Sequence, residues 1–211
     1  WRGSTLLPDI LPRFEEQYPD VQVVLHEAPV PELGALAEAN VIDFCVMQPP
    51  GDLTELTYEP VMREHIFLVG HRDHPLLRGQ HSAYQDPKPF PDLRLLEHER
   101  IIMLPADWRL SRLLYNTFSV HSVEPQNILV TTNTTTAINL AAEKLGFAFL
   151  QESGIPRTPY LDRLACFTVG EPPLTCPLAV VYKKNGFLSP AARAFIDLVR
   201  DFYSRYDRGT E

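Results

Sequence analysis

The sequence has no apolar run of about 18 residues, so nothing in it reads as a membrane span. It has no basic-then-apolar leader; it opens on Trp1-Arg2-Gly3-Ser4, and we expect a cytoplasmic protein. Cysteine is scarce. Cys45, Cys166 and Cys176 are odd in number and widely spaced, which argues against a disulfide framework and against a zinc site. Basic residues are outnumbered, 19 against 27 acidic ones, for a formal charge of -8, and no stretch gathers them. Phosphate contacts need clustered positive charge, so this chain alone is not expected to bind DNA. Catalytic signatures are missing as well: there is no G-x-S-x-G elbow, P-loop, G-x-G-x-x-G or H-E-x-x-H. Cys45 sits in an apolar run, where a thiol stays inert. His65, His71 and His74 are near one another in sequence, but a metal site needs three or four ligands in fixed geometry. We expect no enzyme, no catalytic residue, no metal and no cofactor.

What is present is an ordinary globular composition. The 211 residues are 45% hydrophobic and 22% charged, enough for one large domain or two small lobes. The 20 prolines are scattered and punctuate many short elements. Ser4 or Thr5 can cap a helix with Leu6, Leu7, Ile10, Leu11 and Phe14 on one face. Pro12 should kink that helix, unless it begins near Pro8. Strands are expected at Val21–His26, Ile42–Met47, 57–62, 65–70, Arg100–Leu104, Ile128–Thr131, Phe147–Leu150, Ala165–Val169 and Leu178–Lys183. Gln48-Pro49-Pro50-Gly51 breaks the second of them. Helices are expected from Pro31, over Arg109–Phe118, through Ile138 to Leu145, and from Ser189-Pro190, a cap followed by an N1 proline. Asn40 should end the Pro31 helix in the left-handed conformation. Strands alternating with helices indicate an α/β plan with largely parallel sheets, whose ligands sit at strand carboxyl ends near helix N-termini.

Four segments, taken in order and spacing, resemble the effector-binding domain of LysR-type transcriptional regulators. They are Leu6-Leu7-Pro8 through Tyr18-Pro19-Asp20-Val21; Asn40 to Val46; His71-Arg72-Asp73-His74-Pro75-Leu76; and Thr134 through Gly146-Phe147-Ala148-Phe149-Leu150, with Pro173-Leu174 and Ser189 to Phe195 after it. The chain departs from the family's pattern in having Asn40 for a glycine, Gln151 where a proline often stands, and no strand ahead of the first helix. The resemblance implies a two-lobed, type 2 periplasmic-binding-protein-like α/β fold with two crossovers and an interdomain cleft. Lobe I would hold 1–70 plus 178–211 and lobe II 71–177. A small polar or anionic effector would lie between them, and DNA would be met only through an N-terminal winged helix-turn-helix that is absent from this chain. A homodimer or higher homo-oligomer is implied too. A solute-binding protein of a transporter, outside the cytoplasm, is the alternative on the same fold.

Effector contacts are expected at Ser4, Thr5, Gln48, Pro49, Leu104, Trp108, Arg109, Asn133, Thr134, Thr135 and Gln151. The run Thr131–Thr136, five threonines around Asn133, is the most informative of these. Short hydroxyls at a helix start make a donor-rich cradle, and they also make a plain strand-to-helix turn. Ser4 and Thr5 can cap or bind. Trp108 can stack on a ligand or fill a core. Arg109 can clamp a carboxylate or stand in solvent. Gln48, Pro49, Leu104 and Gln151 each follow a buried strand.

Overall fold

Residues 2–49 and 55–206 are described by a computed structural model of the chain, so Pro50 and Gly51 of the expected turn lie outside the described residues. The chain forms two units, Arg2–Glu64 with Thr175–Glu211, and His65–Leu174. It passes between them at Glu64–His65 and at Leu174–Thr175, earlier in both cases than the expected divisions after residues 70 and 177. The first unit begins with α1 (Arg2–Gln17), α2 (Val30–Glu38), β1 (Cys45–Met47) and the opening part of β2 (Leu56–His71). The second holds β3 (Lys88–Pro89), β4 (Arg100–Met103), α3 (Arg109–Val120), β5 (Asn127–Val130), α4 (Thr134–Ala142), β6 (Phe147–Gln151) and β7 (Leu164–Thr168). The chain then returns as β8 (Thr175–Lys183) and α5 (Pro190–Ser204).

In the first unit α1 holds both Pro8 and Pro12 inside it, so it does not begin near Pro8. The prolines are four residues apart and both lie on the exposed face, where water can take the carbonyls they leave unpaired. The opposite face buries Leu6, Ile10 and Phe14 against Phe195, Val199 and Phe202 of α5. That helix starts as its sequence requires: Ser189 Oγ accepts from Ala192 N at 3.1 Å and Pro190 fills the first position. Asn40 follows α2 with φ 56°, the left-handed turn expected there. Residues 21–26 are not in a strand ladder, and Val24 and Leu25 are exposed. Valine-rich composition favours a pleated surface, but a strand also needs a partner for its backbone groups, and none is in place here.

The segments 57–62 and 65–70, expected as two strands, are one strand of 16 residues. Its polar middle does not break it because each side chain there is engaged. The Arg63 guanidinium donates to Thr175 Oγ1 at 3.0 Å. Glu64, fully buried, accepts from Arg2 at 2.7 Å. Burial alone would lower the Arg2 pKa, but the Glu64 carboxylate outweighs it and holds the guanidinium firmly charged.

The sheet of the second unit has the strand order β3-β7-β2-β6-β4-β5. It is mixed rather than largely parallel. β4 runs parallel to β5 and β6, while β2 runs antiparallel to β6 and β7. The sequence pattern missed this because a strand buried on both faces reads as the same apolar run in either direction. Helix α4 lays Ala137, Ile138, Ala141 and Ala142 on one face of the sheet, against Phe67, Val69, Ala148 and Leu150. Helix α3 covers the other face, where Phe118 meets Phe149 edge-on with centroids 5.6 Å apart. Between α4 and β6, Gly146 has φ 147°, and a Cβ there would stand 2.5 Å from the Arg100 carbonyl oxygen, so β4 and β6 can close together only on glycine.

The Arg2–Glu64 pair makes a stability prediction. Glu64→Leu leaves a largely buried guanidinium without its main counter-charge and should cost about 3 kcal/mol in urea unfolding. The double variant Arg2→Met, Glu64→Leu should recover much of that loss. A single variant no less stable than the double one would refute this account of the pair.

Candidate functional site

In the second unit, β6, β4 and β5 lie side by side and parallel, so their carboxyl ends share one edge. Chain segments leave that edge at Leu104, Thr131 and Gln151. Helix α4 begins there and α3 begins shortly after β4. This is the place where parallel α/β units present backbone N–H groups to a ligand.

The local chemistry at the start of α4 is specific. Asn133 is the N-cap, its Oδ1 accepting from Thr136 N at 3.1 Å. Thr131 Oγ1 accepts from Asn133 N at 3.1 Å, which fixes the turn ahead of the cap. Ala137 N donates to the Asn133 carbonyl, the first bond of the helix proper. The N–H groups of Thr134 and Thr135 have no partner among the described residues. They carry the positive end of the helix dipole. Thr134 is buried and Thr135 exposed. Asn133 is therefore chiefly the cap, while its two neighbours keep donors to offer.

The other expected residues divide. Leu104 is buried at the same edge and its carbonyl accepts from Ser111 Oγ at 2.8 Å, tying the first turn of α3 to the end of β4. Trp108 is half-buried at the N-cap position of α3 and Arg109, next to it, is exposed. Gln151, buried, is the last residue of β6. These share the edge with Thr134 and Thr135. In the first unit Gln48 is buried and Pro49 half-buried, just past β1. Ser4 and Thr5 do not precede their helix as expected: α1 starts at Arg2, and Thr5 Oγ1 donates to the Arg2 carbonyl at 3.0 Å. A hydroxyl inside a helix turns back to the preceding turn in this way, so neither residue is the cap.

Sequence reasoning missed His65 and Glu152. His65 Nδ1 lies 3.1 Å from Glu152 Oε2, and the carboxylate is fully buried. The departure at Gln151, where the family often has proline, was the signal that could have drawn attention to the polar run Gln151-Glu152-Ser153. The cysteines offer no redox site: Cys45, Cys166 and Cys176 are all buried, and burial pushes the Cys45 thiol up to about 12. No group of three or more His, Cys, Asp or Glu residues among those described is placed to hold a metal. No described helix is long and apolar enough to cross a membrane.

Comparison with known proteins extends this picture. A family model described as the LysR substrate binding domain matches residues 3–204. The HTH-type transcriptional regulator YfeR of Shigella flexneri is 25% identical over 94% of this chain and 61% of its own length. The chain thus spans under two thirds of that relative. Among solved structures, the regulatory domain of CcmR from Synechocystis PCC6803, in complex with 2-PG, superposes with a TM-score of 0.76 at 20% identity, covering 94% of this chain and 91% of that one. The effector binding domain of QuiR in complex with shikimate gives 0.74 at 15% identity, over 98% and 94%. At such identities the structural likeness establishes the fold, which is the two-lobed, periplasmic-binding-protein-like α/β architecture.

The cap is directly testable. Asn133→Ala removes the acceptor for Thr136 N and should lower stability by about 1 kcal/mol in thermal or urea unfolding. Asn133→Asp should keep it. Equal losses in both variants would show that the side chain does not cap α4.

Proposed function

We infer the function from one premise: the chain belongs to the LysR substrate binding domain family. It is the effector-sensing part of a LysR-type regulator. The effector is a small polar or anionic molecule. Its binding shifts the population of states of the domain and so re-aims DNA-binding domains carried elsewhere in the full-length protein. The observation that carries this reading is the start of α4, at the carboxyl edge of three parallel strands, where the N–H groups of Thr134 and Thr135 have no partner among the described residues. Relatives of this kind bear the name of HTH-type regulators, and two neighbours of the same fold are in complex with 2-PG and with shikimate. That favours a regulator over a transporter's solute receptor. The reading makes this a cytoplasmic protein that performs no catalysis itself.

Leu104, Trp108, Arg109, Asn133, Thr134, Thr135 and Gln151 are the contacts proposed in the second unit, with Gln48, Pro49, Ser4 and Thr5 in the first. Thr134→Val and Thr135→Val remove a hydroxyl while nearly keeping the shape. Each lost bond, if buried by the ligand, weakens binding by about 1–3 kcal/mol, roughly tenfold or more in affinity. Calorimetric titration with a panel of small carboxylates and phosphate esters reads this. Unchanged affinity in both variants, with melting temperatures intact, would reduce the threonine run to a capped turn.

The chain also forms a homodimer in this reading. Strand β5 ends the strand order, pairing among the described residues with β4 alone, and it exposes Ile128 and Val130; Val120 at the end of α3 is 82% exposed. An edge strand bearing apolar side chains is a ready surface for a second chain. Val130→Lys should shift the chain toward monomer in light scattering at micromolar concentration while leaving its melting temperature within a few degrees. A monomeric parent chain at high micromolar concentration would end the claim.

A further inference from the structure

We propose that His65, oriented by Glu152, is a further effector-contacting residue and that it selects acids carrying a hydroxyl group. The proposal rests on the reading above, that a small acid binds at the start of α4.

Ladder geometry places the pair. β2 runs antiparallel to β6 with Ile66 opposite Gln151, so the next residues outward, His65 and Glu152, stand opposite each other. Side chains alternate along a strand. His65 therefore shares its face with Phe67 and Val69, and Glu152 shares its face with Leu150 and Ala148. Those four residues pack against α4. The pair stands on the α4 side of the sheet, at the edge formed by the carboxyl ends of β6, β4 and β5. That is the edge and the face on which α4 begins.

Glu152 is fully buried, and a buried carboxylate requires a donor. His65 Nδ1 lies 3.1 Å from Glu152 Oε2, within reach to supply one. Because the carboxylate only accepts, the proton of the neutral ring resides on Nδ1, and Nε2 is left as an acceptor. A carboxylate fixes the tautomer and ring direction of a metal-ligating histidine in the same way. Nε2 has no partner among the described residues, and the His65 side chain keeps 15% of its surface open. The Phe67 ring lies 6.1 Å away, tilted by 36°, and helps to hold the imidazole plane. Thr134 and Thr135 offer donors at the same edge, suited to an anionic group. His65 offers an acceptor, suited to an O–H. An acid that lacks the hydroxyl would cover Nε2 without pairing it, and a polar site rejects such an analogue more strongly than an apolar pocket rejects a missing methylene.

Two substitutions separate recognition from folding. His65→Asn puts an amide N–H near the Nδ1 position, so Glu152 stays paired while Nε2 is lost. His65→Gln carries a polar group toward the Nε2 position. The probes are glycolate against acetate, lactate against propionate, and shikimate against its deoxy counterpart, each titrated calorimetrically into the chain and its variants. In the parent the hydroxylated member of at least one pair should bind about tenfold more tightly. His65→Asn should bring that preference to within about twofold while retaining the deoxy acid's affinity and the melting temperature, and His65→Gln should keep part of the preference. Nitrogen-15 NMR of the neutral ring should show the proton on Nδ1. Equal binding within every pair, a preference that survives His65→Asn, a fold lost in both variants, or a neutral ring protonated on Nε2 overturns the proposal. If acids bind and weaken on Thr134→Val but ignore the hydroxyl, only this inference falls. If none of the acids binds, the effector reading falls with it.

Discussion

A strand of 16 residues with Arg-Glu-His at its middle can exist only if those three polar side chains are satisfied where they stand. Thr175 takes the first, Arg2 the second and Glu152 the third. Glu64 and Glu152 are both fully buried, so each needs donors around it. The consequence reaches beyond local stability. The change from one unit to the other falls between Glu64 and His65, so adjacent residues of one strand are anchored in different units. An apolar middle would allow the strand to slip or the pairing to drift, since a shift of one residue exchanges the faces. Specific partners on alternating faces fix the register at the point where the chain crosses.

The second unit depends on close approach in the same way. Alanines at 137, 141 and 142 let α4 lie near the sheet, and Gly146 lets the following strand run beside β4 without a clash at the Arg100 carbonyl. Large side chains at those positions would lift the helix, and with it the start of α4. The candidate site is thus positioned by small residues packed behind it. Its donors come from the helix terminus, and a ring held beside a carboxylate, that of His65, comes from β2.

Much of this was legible in the sequence, and the parts that were not share a cause. The α5 cap at Ser189-Pro190 and the left-handed Asn40 are local chemistry, decided within a few residues, and both appear as the sequence dictates. The expectation of a strand-end edge at Leu104, Thr134 and Gln151 came from strand and helix alternation together with the family resemblance. What failed depended on partners distant in sequence. Val21–His26 has strand composition but no ladder. Residues 57–62 and 65–70 fuse because Arg2, Thr175 and Glu152, far away in the chain, satisfy the polar residues at 63–65. Pro12 stays inside α1 because packing of Leu6, Ile10 and Phe14 outweighs one lost hydrogen bond on the exposed side. Thr5 is a local exception: it turned back into its own helix, three residues away, because α1 begins at Arg2.

The same distinction bears on how specific this site can be. Of the backbone donors in the first turn of α4, that of Thr136 is spent on Asn133, and only Thr134 and Thr135 remain to meet a ligand. Two N–H groups and the hydroxyls beside them suit an acidic group, and many small molecules carry one. Donors at a helix start therefore provide affinity for a class and little choice within it. Discrimination needs a group of opposite hydrogen-bonding sense, fixed in direction, at the same edge. Among the described residues, the imidazole of His65 meets that condition, since its other nitrogen is committed to a carboxylate that burial makes an obligatory acceptor.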